Sequence, residues 1–350
     1  MVWKRADGSY VASLARTAPD DVRVTDAREI ARALGARLLE PVEPALAGRT
    51  RLLVSPDGPL ALVPFEALVT SRGRALERYR VSYVQSLSVL ALVTERSRER
   101  SRAGQRRDLM AMGAPHYAAG DTAAATRGAA SAAEVRQVVM REASSEATLR
   151  AYDSLGLAWR PLPGAKREID TVGRLFGAQP RDLYVDEQAT ETRLRALDAS
   201  GELARYRHLL FAAHGYLSTE APALSALVLG RDPADPASDG YVTVAEWVGY
   251  RLASDLVVLS ACDTGVGREI QGEGVMGLPF ALFVAGNRNA VLSLWPVYDE
   301  GTAEFMRRFF ARVRAGASHA DALAATKRAL AHDARYGDPA HWAGFVLYGN

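Results

Sequence analysis

The sequence is poor in cysteine, with one residue of this type, Cys262, among its 350 residues. A single thiol cannot form an intrachain disulfide, and it cannot supply the several cysteines of a structural zinc site. Long apolar segments are also absent: the longest, residues 275–286, has twelve residues, whereas a membrane-spanning helix needs about 20. The first residues do not lead into the apolar stretch of a signal peptide. We therefore expect a soluble, cytoplasmic protein.

The chain has almost no net charge, because 43 basic residues stand against 41 acidic ones and leave +2 at neutral pH. This balance gives no overall attraction to nucleic acids or to acidic membranes, so we expect neither as a direct partner. Hydrophobic residues make up 48% and charged residues 24%, as is typical of folded globular proteins. Composition thus excludes disordered, collagen-like and disulfide-rich proteins and allows a sizeable core.

Short apolar segments alternate with helical patterns in the second half of the chain. Residues 207–213, 256–260 and 290–295 are predicted to be buried strands, and residues 274–284, apolar on nearly all sides, a buried helix between the last two. Buried strands that alternate with helices are typical of a mostly parallel sheet covered on both faces. We therefore predict an α/β fold of this kind, preceded by a small α+β N-terminal subdomain.

Changes in composition divide the chain into three parts. Residues 1–95 contain hairpin, helix and strand signals and are predicted to form the α+β subdomain, which would act as a scaffold or as an inactive half that resembles the main core. Residues 96–160 are rich first in arginine and then in alanine, and they are predicted to be a linker and insertion around one strand at 109–113. Residues 161–350 are predicted to form the main α/β core.

A histidine and the cysteine follow two of the predicted strands. Residues 207–213 lead into His214, and residues 256–260 lead to Cys262. Ligands of open parallel sheets bind at the carboxyl ends of the strands, so both side chains should share one edge if their strands are neighbours. A histidine beside a thiol favours the nucleophilic thiolate and can later protonate a leaving amine.

Both residues also have a plainer interpretation. A lone cysteine is most often a small buried apolar side chain, and a histidine at a strand end can be purely structural. The position of Cys262 at a strand end, in a glycine-containing turn, makes the catalytic interpretation about as strong as the buried one. The backbone N–H groups of Gly215 and Cys262 would then be able to stabilise an oxyanion.

Several segments, in their order along the chain, resemble the CHAT-domain cysteine peptidases, which are related to separase and belong to the clan of caspases, legumain and gingipains. The resemblance spans nearly the whole chain and includes the surroundings of His214 and Cys262. The segments are PDGPLALVPFEAL (56–68), LPGAKREID (162–170), LLFAAHG (209–215), ALSALVLG (223–230), LVVLSACDTGVG (256–267), GEGVMGLPFALFVAG (272–286), VLSLWPVYD (291–299) and WAGFVLYG (342–349).

The resemblance implies a caspase-like fold and a cysteine endopeptidase with His214 and Cys262 as its catalytic dyad. By the same resemblance, the amides of Gly215 and Cys262 form the oxyanion hole, and residues 293–299, which include Ser293 and Trp295, lie along the bound substrate peptide. Neither a metal nor a cofactor is needed for this chemistry. Members of the family often serve prokaryotic defence or programmed cell death and cleave a specific protein, so a protein substrate is expected.

The N-terminus departs from the family pattern. Many relatives carry helical repeats or another sensor domain before the peptidase, whereas here the first residues lead almost directly into the α+β unit. Three arrangements follow from this: a stand-alone peptidase, a fragment, or a peptidase that receives its signal from a separate sensor or activator protein.

The sequence does not decide which substrate side chain the pocket selects. Asp263 and Asp299 would make the pocket acidic and select arginine or lysine. Asp299 is equally suited to cap a helix that starts near Thr302, and we favour that interpretation slightly. Glu273 begins the apolar helix, where a carboxylate suits the helix dipole, and a substrate-binding role for it is a weaker alternative.

Two other functions remain compatible with the sequence. A caspase-like protein can keep the fold without turnover and act as a binding or scaffold module. An acyl transferase or another hydrolase can use the same pair of residues, since a fold does not determine a function. Nucleotide binding is disfavoured, because residues 265–274 contain glycines without the lysine of a phosphate-binding loop.

Overall fold

The structure is a computed structural model. Cys262 and Asp263 lie outside the residues that it describes, as do residues 118–158 of the predicted insertion. The described residues are 2–5, 10–12, 22–23, 27–56, 58–100, 106–117, 159–177, 179–216, 225–261, 273–295 and 299–349.

A central sheet organises the described part of the chain. The strands, numbered in chain order, are β1 (Val2–Arg5), β2 (Tyr10–Ala12), β3 (Val22–Arg23), β4 (Arg51–Val54), β5 (Val69–Thr70), β6 (Gly73–Arg74), β7 (Arg80–Tyr83), β8 (Arg107–Pro115), β9 (Arg181–Asp186), β10 (Tyr206–Tyr216), β11 (Ala226–Val228), β12 (Tyr241–Thr243), β13 (Leu256–Ala261), β14 (Ala290–Ser293) and β15 (Phe345–Tyr348). Ten of these described strands form the sheet, in the order β12–β11–β10–β13–β14–β15–β7–β4, with β8 paired to β10 and β9 to β8. The strands β1 to β3 form a separate small sheet, and β5 pairs with β6.

Helices connect and cover these strands. The α-helices are α1 (Ala27–Leu38), α2 (Ala75–Arg78), α3 (Leu87–Arg100), α4 (Pro163–Leu175), α5 (Glu191–Ala199), α6 (Val244–Gly249), α7 (Glu273–Ala285), α8 (Asp299–Arg314) and α9 (His319–Ala331). Short 3₁₀ helices occur at Glu40–Leu46, Gly58–Leu62, Phe65–Ala67, Leu203–Arg205 and Pro339–His341. No helix within the described ranges is long and apolar enough to cross a membrane.

Most neighbouring strands in the central sheet are parallel. β10 is parallel to β8 and to β13, and β13 is parallel to β14. The exceptions are β15, which runs antiparallel to β14, and the hairpin β11–β12, which is antiparallel to the end of β10. Both faces of the sheet are covered by helices. Ile169 of α4 and Phe309 of α8 lie in the buried cluster on one face, and Trp247 of α6 and Leu282 of α7 lie in the cluster on the other. The predicted α/β fold with a mostly parallel, doubly covered sheet is confirmed.

The side chains of β10 alternate between these two clusters. Leu209 and Phe211 pack with α6 and α7, whereas Leu210 and Ala212 pack with α4 and α8. Because side chains two residues apart in a strand share a face, His214 belongs to the face covered by α4 and α8. This face is called the α4 side below.

β10 is longer than the apolar pattern predicts. Its last residues pair with β11, so that His214 lies opposite Val228 and Gly215 opposite Leu227. The sequence predicts that His214 follows the strand, whereas the structure places His214 inside it. The extension depends on pairing with β11, the next strand along the chain, and the apolar pattern of residues 207–213 does not show how far that pairing reaches.

Strands from the first 95 residues extend the central sheet. β7 pairs with β15 and β4 pairs with β7, both in parallel. In addition, the Lys327 ammonium of α9 donates a hydrogen bond of 2.6 Å to the buried carboxylate of Glu66. The division of the chain at residues 95 and 160 stays a prediction about its folding units.

The helix α7 is less buried than its composition predicts. Ala281 and Leu282 are fully buried, whereas Phe280 and Val284 are 48% and 37% exposed. One side of the helix packs on the sheet and the other meets solvent. The expectation of a buried helix therefore holds for one side of α7 and is wrong for the side of Phe280 and Val284.

Candidate active site

Two neighbouring parallel strands lead to the predicted dyad. β10 and β13 pair in register up to Ala213, which lies opposite Ala261. The residues that follow these two partners in the chain are His214 and Cys262. The expectation that the two strands are neighbours is confirmed. Cys262 itself lies outside the described residues, so its role stays a prediction.

The imidazole of His214 is buried and hydrogen-bonded to the main chain. The residue is 1% exposed, and its Nε2 lies 2.8 Å from the carbonyl oxygen of Arg160. A carbonyl oxygen only accepts hydrogen bonds, so Nε2 must carry the hydrogen. In the neutral ring, Nδ1 then holds the lone pair that can accept a proton.

Two aromatic rings pack against this imidazole. The ring centroids of Tyr117 and Trp159 lie 5.2 Å and 5.1 Å from that of His214, with interplanar angles of 44° and 35°. The hydroxyl of Tyr117 accepts a hydrogen bond of 3.3 Å from the His214 N–H and donates one of 3.1 Å to the Val228 carbonyl. These contacts connect the histidine to β11.

Trp159 is tied to the hairpin β11–β12. Its Nε1–H donates to the hydroxyl of Tyr241 at 2.9 Å, at the start of β12.

The same hairpin contains a buried acidic residue, Asp239. Burial raises the pKa of Asp239 to about 8, and the carboxylates of Glu191 and Glu246 raise it further. A hydrogen bond from the Tyr241 N–H opposes this shift. The Asp239 carboxyl group is therefore mainly protonated at neutral pH, and the hairpin carries little negative charge at this residue.

A buried carboxylate lies on the α4 side of the sheet. Glu168 of α4 is 2% exposed, and its Oε2 accepts a hydrogen bond of 2.9 Å from the hydroxyl of Ser260. Ser260 precedes Cys262 by two residues in the chain. Glu168 and Ser260, together with Thr302 of α8, line a small cavity of about 10 Å³. The strand that leads to the cysteine is thus fastened to α4 by a buried polar contact.

The sequence contains no pattern that points to Tyr117, Trp159 or Arg160. Their contacts with the histidine form only in the folded chain, and Arg160 contributes a main-chain oxygen that every residue possesses. Glu168 does carry a readable signal, because it interrupts the buried stripe of the amphipathic α4 at a position where an apolar side chain is expected.

Ser293 and Trp295, the predicted substrate-binding residues, use their polar groups within the chain. The Ser293 hydroxyl donates to the Trp295 carbonyl at 2.5 Å, and the Trp295 Nε1–H donates to the Ala340 carbonyl at 3.3 Å. The Trp295 ring lies so close to Gly344 that a Cβ added there would be 2.8 Å from it. β14 ends at Ser293, two residues earlier than predicted. Their part in substrate binding stays a prediction.

The three acidic candidates lie at or beyond the limits of the described chain. Asp263 is outside it. Glu273 is the first residue of α7 and Asp299 the first residue of α8, while their side chains are outside the described set. Since α8 begins at Asp299 and not near Thr302, Asp299 lies in the first turn, and the expectation that it caps a later helix is wrong. A carboxylate in a first turn is still favoured by the helix dipole.

Among solved structures, the chain is similar to the separase–securin complex of Saccharomyces cerevisiae. Two crystal structures of this complex match with TM-scores of 0.45 and 0.46 and with sequence identities of 14% and 15%. The matches cover 82% and 85% of this chain and 14% and 15% of the matched chains.

Among curated proteins, the chain is similar to Tetratricopeptide repeat protein 28 of Mus musculus and of Homo sapiens. The identities are 24% over 222 residues and 26% over 217 residues. Each match covers 55% of this chain and 9% of the relative. The chain thus spans less than a tenth of the length of these curated relatives.

The family comparison covers far more of the chain. The family model of the CHAT domain matches residues 28–350. This range contains the whole central sheet and both residues of the predicted dyad. The chain therefore belongs to the CHAT domain family.

Proposed function

We propose that the chain is a cysteine endopeptidase in which His214 and Cys262 together cleave a peptide bond of a protein substrate. One observation carries this proposal: β10 and β13 are parallel neighbours whose register runs through Ala213 and Ala261, directly before the two residues. Membership of the CHAT domain family supports the same reaction class.

The register favours a close approach of the two side chains. Neighbouring strands lie about 4.8 Å apart, and side chains two residues apart in a strand share a face. The hydroxyl of Ser260 points to the α4 side, where it meets Glu168. With β13 continued to Cys262, the thiol would face the α4 side, as His214 does.

The first step is proton transfer from the thiol to Nδ1 of His214. Because the Arg160 carbonyl holds the hydrogen of Nε2, Nδ1 is the nitrogen left to act as base. The thiolate of Cys262 then attacks the carbonyl carbon of the substrate, a C–S bond forms, and the π electron pair moves to the oxygen. As this pair returns, the C–N bond breaks and the Nδ1 proton passes to the leaving amine, which leaves a thioester on Cys262.

Hydrolysis of the thioester completes the cycle. Nδ1 takes a proton from a water molecule while the water oxygen attacks the thioester carbonyl. When the tetrahedral intermediate collapses, the C–S bond breaks and the carboxylic product leaves. The sulfur recovers its proton from Nδ1, so that both groups return to their starting states.

The amide of Gly215 is suited to stabilise the oxyanion. Consecutive N–H groups of a strand point to opposite edges, and the His214 N–H points to the Tyr117 hydroxyl on the β11 side. The Gly215 N–H therefore points to the other edge of β10, where β13 lies. Together with the Cys262 amide, it would supply two donors to the developing negative charge.

The finer assignments belong to the same proposal. The substrate chain would bind along residues 293–299, beside Ser293 and Trp295. Asp263, Asp299 and Glu273 are the acidic candidates for a pocket that selects arginine or lysine. A regulated role in prokaryotic defence or cell death, with a separate sensor or activator protein, follows from the family and is proposed on that ground.

A diverse peptide library tests the proposal. The chain is incubated with the library beside Cys262→Ala and His214→Ala, and cuts are mapped by mass spectrometry. We expect cuts that require both residues, and the residue shared before the cut identifies the pocket: arginine or lysine for an acidic one, leucine or methionine for an apolar one. His332→Ala is the matched histidine control, because this side chain is 72% exposed, and it should cut as the unchanged chain does.

The absence of cuts that depend on Cys262 favours a binding or scaffold module without turnover. If no cuts depend on Cys262, and a thiol-reactive peptide probe also fails to label Cys262, the proposal is wrong. Labelling without cuts indicates a dyad that is formed and awaits its activator.

A further inference from the structure

We propose that Tyr117 and Trp159 are positioning residues, which hold the His214 imidazole in one orientation with its hydrogen on Nε2. The inference depends on the proposed function only in taking His214 as the base. Its geometry stands entirely on described residues.

The two rings confine the imidazole from separate parts of the chain. Tyr117 follows β8, and Trp159 precedes α4. Both ring centroids lie within 5.2 Å of that of His214. An imidazole that is 1% exposed and packed against two rings cannot turn about its Cβ–Cγ bond without displacing one of them, because protein interiors are close-packed.

Both rings are themselves anchored by hydrogen bonds. The Tyr117 hydroxyl bridges the His214 N–H and the Val228 carbonyl, at 3.3 Å and 3.1 Å. The Trp159 Nε1–H donates to the Tyr241 hydroxyl at 2.9 Å. The rings are thus tied to β10, β11 and β12, and they do not merely fill space beside the histidine.

Trp159 and the acceptor of Nε2–H are neighbours in the chain. Arg160, the next residue, supplies the carbonyl oxygen that lies 2.8 Å from Nε2. A movement of the main chain at Trp159 therefore also moves this carbonyl. One dipeptide thus sets both the ring orientation of the histidine and the nitrogen that carries its hydrogen.

Orientation matters because the two ring nitrogens have different tasks. A half-turn of the ring would exchange the positions of Nδ1 and the Cδ2 carbon, and the lone pair of the base would point in a different direction. Loss of the Arg160 contact would let the hydrogen move to Nδ1, which removes the lone pair that accepts the thiol proton. Either change lowers the fraction of molecules that can react.

Four substitutions separate the contributions. Trp159→Leu removes the ring, Trp159→Phe keeps a ring but removes the bond to Tyr241, Tyr241→Phe removes only the acceptor, and Tyr117→Phe removes only the bridging hydroxyl. The matched control is Tyr336→Leu, because Tyr336 packs on another histidine, His341, at 5.7 Å and 84°.

The main readout is the ¹⁵N NMR spectrum of the imidazole of His214, recorded in Cys262→Ala so that turnover is not required. We expect the unchanged ring to carry its hydrogen on Nε2. Trp159→Leu should give a mixture of both neutral forms, while Tyr336→Leu keeps the single form. Trp159→Phe and Tyr241→Phe should give smaller shifts in the same direction, which keeps the test valid if Trp159→Leu does not fold.

Kinetics provide the second readout in chains that retain Cys262. A misplaced base lowers kcat, by about 10-fold to 100-fold, and leaves KM unchanged. Folded Trp159 and Tyr241 variants whose His214 spectrum equals that of the unchanged chain would overturn the inference, even if they were less stable. Failure of the proposed function would look different: the spectral changes would appear, but no chain would cut peptides.

Discussion

The orientation of His214 depends on a main-chain atom, the carbonyl oxygen of Arg160. The 2.8 Å contact with Nε2 selects one neutral form of the ring and leaves Nδ1 as the acceptor. At this scale the site is a set of short, buried contacts around one imidazole. Glu168 adds a second such contact, because it accepts the hydroxyl hydrogen of Ser260, two residues before Cys262 in the chain.

Removal of the Glu168 acceptor should destabilise the fold. Glu168→Ala leaves the buried Ser260 hydroxyl without its acceptor, which costs about 1–3 kcal/mol, and urea unfolding measures the loss. Glu168→Gln keeps an oxygen acceptor of similar size and should lose less. Glu187→Ala, at an exposed position, is the control and should stay within about 0.5 kcal/mol. A Glu168→Ala chain as stable as the unchanged one would contradict this assignment.

At the residue scale, the sequence indicates the candidates for the dyad but not the residues that pack against His214. His214 and Cys262 follow apolar strand patterns, and this position at a strand end is itself informative. Tyr117 and Trp159 act through tertiary contacts between segments that are far apart in sequence. No local pattern encodes such contacts, so the structure is needed to find them.

At the scale of elements, the buried strands are predicted well because the physics is local. A strand covered on both faces needs a nearly continuous apolar run, and residues 207–213 and 256–260 fall within β10 and β13 as the structure has them. The ends of the strands are predicted less well. β10 continues because β11, the next strand in the chain, pairs with its last residues, and the apolar pattern of a strand does not show how far such a pairing extends.

A glycine permits the close approach of β8 to β10. A Cβ added at Gly113 would lie 2.0 Å from the main-chain oxygen of Ala212, and a main-chain atom inside a sheet cannot rotate away. We expect Gly113→Ala to destabilise the fold by about 1–3 kcal/mol in urea unfolding, as overpacking does. Gly249→Ala, where nothing lies within 4 Å of the added Cβ, should be close to neutral. Equal stability of the two variants would show that β8 can shift at no cost.

At the scale of the whole molecule, distant parts of the chain share the central sheet and the two buried clusters on its faces. β4 and β7 come from the first 95 residues and extend the sheet beyond β15. Glu66 and Lys327 form a buried ion pair of 2.6 Å, with side chains 3% and 1% exposed, and the Tyr83 hydroxyl also donates to Glu66 at 2.5 Å. The pair fastens the N-terminal part to α9.

Breaking this pair should be costly, and removing both charges should be less so. Lys327→Met leaves a buried carboxylate without its cation, for which we expect a loss of about 3–5 kcal/mol. Glu66→Gln combined with Lys327→Met removes both charges and keeps an acceptor for Tyr83, so it should recover most of that loss. Urea unfolding of the single and double variants gives the coupling. If the loss of stability in the double variant equals the sum of the losses in the two single variants, the paired interaction is contradicted.

Buried histidines should make the fold sensitive to acid. Burial, with a smaller contribution from His208, lowers the pKa of His319 to about 4, whereas in the unfolded chain it is about 6.5. The unfolded chain binds more protons between these values, so this stabilisation is complete above pH 6.5 and falls by about 1.4 kcal/mol per pH unit on the way to pH 4. His319→Gln should flatten the pH dependence of unfolding over this range, and the exposed His332→Gln should not. Parallel curves for the unchanged chain and His319→Gln would contradict the shift.

The reactivity of the thiol tests the proposed dyad most directly, since Cys262 is the sole cysteine of the chain and every alkylation reports on it. The measurement is the rate of alkylation by iodoacetamide as a function of pH, for the unchanged chain and for His214→Ala. The dyad predicts a midpoint well below the value of about 8.5 for a free thiol and a return towards that value in His214→Ala. Identical profiles for the two chains, both with a midpoint near that of a free thiol, would contradict it.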